Sequence, residues 1–245
     1  MNTPQLAELD SGRGIRFTSK EGTQTAPTWT PDGSRIAFLS DEPPFDLFWL
    51  PADRTAAAEP LLKSSYDKRP NSFSPDGSVL VFSESRPTES RDDLWILPLD
   101  KVREPVAFLR TEFNEANGQV SPDGRWIAYQ SDETGQIEVY VQSFPEPAGA
   151  RLVSTEGGTD PRWSRDGRRL FYRSREGLMA LDINPGPPLV VSQPERLFGL
   201  DSLGDYDVAA DGRFLFVDLP ADSAPRRIDI VQNWFAELKR LVPTE

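Results

Sequence analysis

The chain contains neither cysteine nor histidine, and these two absences remove much catalytic and metal chemistry before any motif is sought. Without a thiol there is no disulfide, no thiolate nucleophile and no sulfur-ligated zinc or iron–sulfur site. Without an imidazole no Ser-His-Asp or Cys-His arrangement can be assembled, and Gly-x-Ser-x-Gly does not occur either. A His-Arg-Asp catalytic loop is excluded, and no Gly-rich phosphate loop precedes a helix, so phosphoryl transfer is not assigned to this chain. No cofactor is expected. Positive charge is also scarce: 27 Lys and Arg stand against 39 Asp and Glu, a formal net charge of −12. That balance repels a phosphate backbone, and no basic stripe interleaved with aromatics offsets it, so nucleic acid and anionic membrane surfaces are disfavoured partners. No apolar run is long enough to span a bilayer, and the segment from Met1 to Glu8 lacks the basic and apolar regions of a signal peptide. A soluble chain without membrane insertion is expected, in a compartment that a cysteine-free sequence leaves open.

What the chain has in abundance is one repeated phrase. Asp-Gly recurs at Asp32, Asp76, Asp123, Asp166 and Asp211, at intervals of 44, 47, 43 and 45 residues. Around it stand Trp29-Thr30-Pro31-Asp32-Gly33, Phe73-Ser74-Pro75-Asp76-Gly77, Val120-Ser121-Pro122-Asp123-Gly124, Trp163-Ser164-Arg165-Asp166-Gly167 and Val208-Ala209-Ala210-Asp211-Gly212. A short apolar run follows each, as in Trp126-Ile127-Ala128-Tyr129. A period of this length carrying several short strands is the pattern of a β-propeller, in which one repeat makes one four-stranded blade. The expected fold is all-β: a single propeller domain over 1–245, with repeats at about 27–63, 71–110, 119–154, 161–198 and 206–232. In the first repeat residues 27–29 make the innermost strand, Pro31-Asp32-Gly33 a tight turn, and residues 35–39, 46–50 and 60–63 the remaining strands. Weak polar alternation in these strands fits sheets covered on both faces.

The last repeat stops after its third strand, at residues 227–231, while the chain begins with an unassigned strand at 14–18. Phe17 precedes Asp32 by 15 residues, as Leu61 precedes Asp76 and Phe108 precedes Asp123. The spacing predicts that this strand completes the fifth blade and closes the ring, which removes two open sheet edges. Trp234, Leu238 and Leu241, preceded by Asn233 and followed by Pro243, predict a short amphipathic C-terminal helix that covers the final blade.

The phrase Trp-Ser-Pro-Asp-Gly followed by an aliphatic–Ala–aromatic strand resembles the PD40, or WD40-like, repeats of the TolB family, nearly end to end. Asp92-Asp93-Leu94-Trp95-Ile96-Leu97-Pro98-Leu99, Val139-Tyr140-Val141-Gln142-Ser143-Phe144-Pro145 and Asn233-Trp234-Phe235-Ala236-Glu237-Leu238-Lys239 extend the likeness. These segments are similar to the C-terminal propeller of bacterial proteins that join a Ser/Thr protein kinase domain to TolB-like repeats. The resemblance implies a propeller and leaves the ligand open. Relatives of this kind carry further repeats ahead of such a region, so a last part of a longer propeller is an alternative.

Five pseudo-symmetric aspartates suggest a metal ring, but an Asp before Gly in a turn accepts backbone N–H groups, and turns on a rim lie too far apart to share an ion. Asp201, Asp205 and Asp207 lack the alternating calcium-loop pattern and read as a solvated loop. A glycan-cleaving or carbohydrate-binding propeller needs two carboxylates at a cleft, and no pair is singled out by spacing. The favoured function is therefore a non-catalytic binding or scaffolding module for a protein or peptide. Its candidate contacts lie in the loops that enter and leave the blades on one face: Tyr66 and Arg69 in 65–69, and Glu112, Phe113, Asn114 and Asn117 in 112–117, with 83–92 and 131–133 beside them.

Overall fold

The computed structural model describes residues 5–8, 13–16, 25–39, 44–86, 91–100, 102–186, 188–199, 203–209, 211–218 and 227–231. Every regular element among them is a strand. Strands β1 (Gln5–Glu8) and β2 (Arg13–Arg16) pair antiparallel as a hairpin. The repeats then fold into five antiparallel sheets in which neighbours in sequence are neighbours in space. The first holds β3 (Thr28–Trp29), β4 (Arg35–Leu39), β5 (Leu47–Pro51) and β6 (Glu59–Leu62). The second holds β7 (Asp67–Phe73), β8 (Val79–Arg86), β9 (Arg91–Pro98) and β10 (Val106–Leu109). The third holds β11 (Glu115–Val120), β12 (Trp126–Ser131), β13 (Glu138–Ser143) and β14 (Arg151–Leu152). The fourth adds a strand: β15 (Thr159–Trp163), β16 (Arg169–Ser174) and β17 (Gly177–Asn184) are followed by β18 (Val190–Val191) and β19 (Glu195–Phe198), which share the outer edge of β17. The fifth consists of β20 (Leu203–Val208), β21 (Phe214–Asp218) and β22 (Arg227–Val231). Two compact units result, Met1–Leu152 with the hairpin and three sheets, and Val153–Glu245 with two.

The repeated phrase makes the turn between the first two strands of each sheet. Gly33, Gly77, Gly124, Gly167 and Gly212 take φ between 67° and 82°, and each donates its N–H to the carbonyl three residues earlier. Each turn Asp accepts the backbone N–H two residues on, at 3.0–3.2 Å, as the sequence predicts. A hydroxyl completes the turn in four repeats. Thr30, Ser74, Ser121 and Ser164 each donate to the Asp at 2.6 Å and accept the N–H that opens the second strand at 2.9–3.1 Å.

Strand faces explain the missing polar alternation. On β8, Leu80 and Phe82 join Ala37, Leu39, Leu47, Leu61, Phe73 and Leu97 between the first and second sheets. Val81, on the opposite face, joins Leu94, Phe108, Val120, Ile127, Tyr129, Tyr140 and Phe144 between the second and third. In the second unit Phe171, Leu178, Ala180, Tyr206, Phe214 and Phe216 form the layer between its two sheets. Each inner layer is thus dry on both sides, and the strands read as continuous apolar runs.

The segment 14–18, expected as a closing strand, overlaps β2, whose described partner is β1. Residues 17–18 and the C-terminal helix expected around 233–242 lie outside the described residues. The fifth sheet has three described strands, with β22 beside β21.

Candidate functional site

In an up-and-down sheet the connections from second to third strand, and from fourth to the next first strand, fall at the same end. In the first unit that end gathers Tyr66, Arg86, Arg91, Asp93, Arg110, Asn114, Glu115 and Asp132. The strands reach further into it than the sequence suggests. Within 83–92, expected as loop, residues 83–86 continue β8 and residues 91–92 continue β9, pairing Glu84 with Asp93, Ser85 with Asp92 and Arg86 with Arg91. Residues 67–69 likewise extend β7 opposite Ser83–Ser85. Arg69 and Asn117 are therefore strand residues of β7 and β11, a correction to their expected loop positions. The directly opposed pairs of this extension, Glu84–Asp93 and Arg86–Arg91, are like-charged, and the attraction runs from Arg86 diagonally to Asp93 and along its own strand to Glu84.

The arrangement centres on Asp93, whose side chain is fully buried and lies 3.9 Å from Arg86 Nε, 3.8 Å from Arg91 Nε and 3.6 Å from Arg110 Nε. Arg86 binds Glu84 Oε1 through Nε and Nη2 at 3.1 and 3.0 Å. Its guanidinium sits 4.8 Å from the Tyr66 ring centroid and 5.4 Å from that of Trp95. Glu115, at the start of β11, is 2% exposed, takes the Thr111 hydroxyl on Oε1, and has no hydrogen-bond partner for Oε2 among the described residues. Burial pushes its carboxyl above the ordinary carboxylate value; the hydrogen bonds from Thr111 oppose that rise, and the charges of Asp93 and Asp132 add to it.

The loops here are tied from one sheet to the next. The Lys68 ammonium, wholly buried, binds Asp46 Oδ1 at 3.1 Å and the Tyr66 carbonyl at 2.5 Å, and Phe45 N–H donates to Asp67. Asn114 accepts the Asp92 N–H and donates to Asp132 Oδ2 at 2.5 Å through its own amide, with its backbone N–H on Asp132 Oδ1. Of the predicted residues, Tyr66, Phe113 and Asn114 lie half-buried in these connections, and Glu112 is exposed beside them. Asn117 holds φ +55° in a bulge of β11 and donates to Gln130 at 2.9 Å. Sequence reasoning missed Arg86, Asp93, Arg110 and Glu115. A period-two charge pattern, Glu84-Ser85-Arg86 facing Arg91-Asp92-Asp93, is the signal that could have found the first two. Asp205 and Asp207 lie in β20, and Asp201 is outside the described residues. Among the described residues no three Asp or Glu converge as metal ligands, and no helix is long and apolar enough to cross a membrane.

No protein-family model matches the sequence, and no curated protein matches it significantly. Solved structures match throughout. TolB from Acinetobacter baumannii aligns with TM-score 0.70 and 20% identity over 93% of this chain and 56% of its own. An oligogalacturonate lyase from Vibrio parahaemolyticus aligns with TM-score 0.64 and 12% identity over 90% of this chain and 65% of its own. The Cps50 (Swd1) β-propeller domain of Myceliophteria thermophila aligns with TM-score 0.63 and 10% identity over 86% of this chain and 71% of its own. Repeated antiparallel sheets with these neighbours define a β-propeller fold. The alignment with TolB agrees with the resemblance of the repeats, and the chain spans just over half the length of the Acinetobacter protein.

Proposed function

We propose that this propeller chain is a non-catalytic binding module whose loop end, around Tyr66, Arg69, Glu112, Phe113, Asn114 and Asn117, takes a protein or peptide partner. The observation that carries this reading is preorganisation. The Lys68–Asp46 and Asn114–Asp132 ties fix the loops before any partner arrives, so little ordering entropy is lost on binding. Tyr66 with Arg86 stacked on it supplies the aromatic and guanidinium chemistry that anchors interfaces. The test is recovery of partners by cross-linking and mass spectrometry with the intact chain and with Tyr66→Ala/Arg69→Ala/Phe113→Ala. Partners lost in the variant, at an unchanged melting temperature, support the reading; equal recovery refutes the face.

A second reading, a glycan-cleaving propeller, is favoured by one feature. Glu115 and Asp93 are two buried carboxyl groups in different electrostatic surroundings at the loop end, the pattern of acid and base partners. An oligogalacturonate lyase among the structural neighbours shares the fold. Screening against soluble glycans separates the two readings: turnover abolished by Glu115→Gln would place the enzyme first. A third arrangement, in which further blades belong to a longer parent such as a kinase-linked sensor, fits the chain's share of the Acinetobacter TolB length.

A further inference from the structure

The opposite end of the sheets carries the Asp-Gly turns, and in the first unit consecutive turns rest on one another. A Cβ added to Gly77 would meet Pro31 Cδ at 3.8 Å, and one added to Gly124 would meet Pro75 Cδ at 3.6 Å. Between the first two turns opens a cleft of about 510 Å³, lined by Pro31, Asp32, Arg35, Trp49, Asp76 and Leu99 among others. The cation among the lining residues, Arg35, is already committed, and the Arg103 guanidinium stands beside the cleft, 5.0 Å from the Trp49 ring centroid. Arg35 binds Glu59 at 2.7 Å and stacks on Trp49, whose indole N–H donates to the same carboxylate at 2.6 Å. Asp32 and Asp76 are held ionised, their carboxyls lowered to about 2 chiefly by the Thr30 and Ser74 hydroxyls and the N–H groups of Ser34 and Ser78.

Two of the other three turns show what this carboxylate takes; in the fourth, Arg168 stands at the same place and gives Asp166 its backbone N–H at 3.0 Å and a favourable charge. In the third turn Oδ1 of Asp123 holds the turn, while Oδ2 receives Arg125 Nε at 2.9 Å and Nη2 at 2.7 Å. In the fifth, Oδ2 of Asp211 receives Arg213 Nε at 2.7 Å. The guanidinium in both comes from the residue two places after the Asp. In the first two turns that place is Ser34 and Ser78. Ser34 Oγ is shared between both oxygens of Asp32, Ser78 Oγ binds only Oδ1 of Asp76, and no described residue donates to Oδ2 of Asp76. Two adjacent copies of a guanidinium-binding turn therefore lack their internal guanidinium, and a cleft lies between them.

We propose that the cleft between the first and second Asp-Gly turns binds an arginine side chain on an extended basic segment of a partner protein, in the role that Arg125 and Arg213 fill in their own turns. Pro31, Pro75 and Leu99 offer an apolar wall for the methylene stem. The two carboxylates receive the fork, and the net charge of −12 attracts such a segment from a distance. This site is separate from the loop end, so either can fail without the other.

The test is a chemical-shift titration of the ¹⁵N-labelled chain with acetyl-Gly-Ala-Arg-Ala-Gly-amide, its citrulline counterpart, and free arginine amide. The arginine peptide is expected to move the amides of residues 32–34 and 76–78 and the Trp49 indole N–H. The citrulline peptide should bind at least about tenfold more weakly because it lacks the charge. Ser34→Arg/Ser78→Arg restores the internal donor found in the third and fifth turns, and should weaken peptide binding by at least about tenfold without lowering the melting temperature. Asp32→Asn/Asp76→Asn, which keeps an acceptor for the turn, should weaken it likewise. Citrulline binding equal to arginine, peptide binding unaffected in either double variant, or no shifts at these residues would overturn the proposal. Free arginine amide binding as tightly as the peptide would overturn the assignment to a partner segment.

Discussion

In four of the five turns the hydroxyl two residues before the aspartate does two jobs: it donates to the carboxylate and accepts the N–H that starts the next strand. Ser121 is 2% exposed, so Ser121→Ala removes a buried hydroxyl that accepts the Trp126 N–H and donates to the exposed carboxylate of Asp123. The expected loss is about 1–2 kcal/mol in urea unfolding. The fifth turn has Ala209 there and closes through backbone bonds and the Asp211 carboxylate, so the hydroxyl stabilises the turn without defining it. Acid sensitivity follows from the same bonds. Carboxyls depressed from 3.8 to about 2 contribute stability that is present above the ordinary value and lost as pH falls through the folded one. The gap in melting temperature between wild type and Ser74→Ala should therefore narrow between pH 5 and pH 2; a constant gap would detach the hydroxyl from the carboxylate. Glu115 has the opposite sign. Its raised carboxyl favours the fold below the ordinary value of 4.5 and progressively less as pH rises above it. Glu115→Gln should flatten that alkaline-side decline in thermal unfolding scans, whereas an identical pH profile would show that the group does not titrate in the folded state.

At the scale of elements, Gly177 governs the outer edge of the fourth sheet. It ends the turn between β16 and β17 at φ +135°, and a Cβ there would lie 2.1 Å from the Phe198 carbonyl oxygen of β19. Backbone cannot yield as a side-chain tip can, so Gly177→Ala should cost about 3 kcal/mol or more and expose the amides of 195–198 to hydrogen exchange. Exchange unchanged at those residues would show β19 held by other contacts. The elements themselves were largely legible, because the Asp-Gly phrase fixes where each hairpin turns and the apolar runs beside it fix the two strands. The outer strands were less so: β14 shrinks to two residues and β18 is an addition without a counterpart among the described residues of the other repeats. The candidate site was legible as an end of the sheets but not as a set of partners. Asn114 and Tyr66 could be placed in the right connections by period, whereas Asp93 meeting three arginines depends on a register between β8 and β9 that no spacing reveals.

The scale of the whole molecule turns on how the last sheet ends. Strand β22 pairs with β21 in a sheet of three described strands, whereas every other repeat supplies a fourth. An edge of unpaired N–H and C=O groups is a template for association, and propellers avoid it by completing the last blade. The spacing of Phe17 from Asp32 matches that of outer strands in two other repeats, while the structure gives Arg13–Arg16 a hairpin partner in Gln5–Glu8. Both arrangements predict an outcome for a chain lacking residues 1–20. If the segment closes the ring, its loss exposes a strand edge and weakens a cooperative fold. Because each kcal/mol lowers the midpoint by about 2–4 °C in a chain of this size, a fall of more than about 5 °C is expected. Association that grows with concentration in sedimentation velocity should accompany it, as a second copy offers its own strand to the open edge. A truncated chain that melts with the intact one and stays monodisperse would make the hairpin an appendage to the sheets.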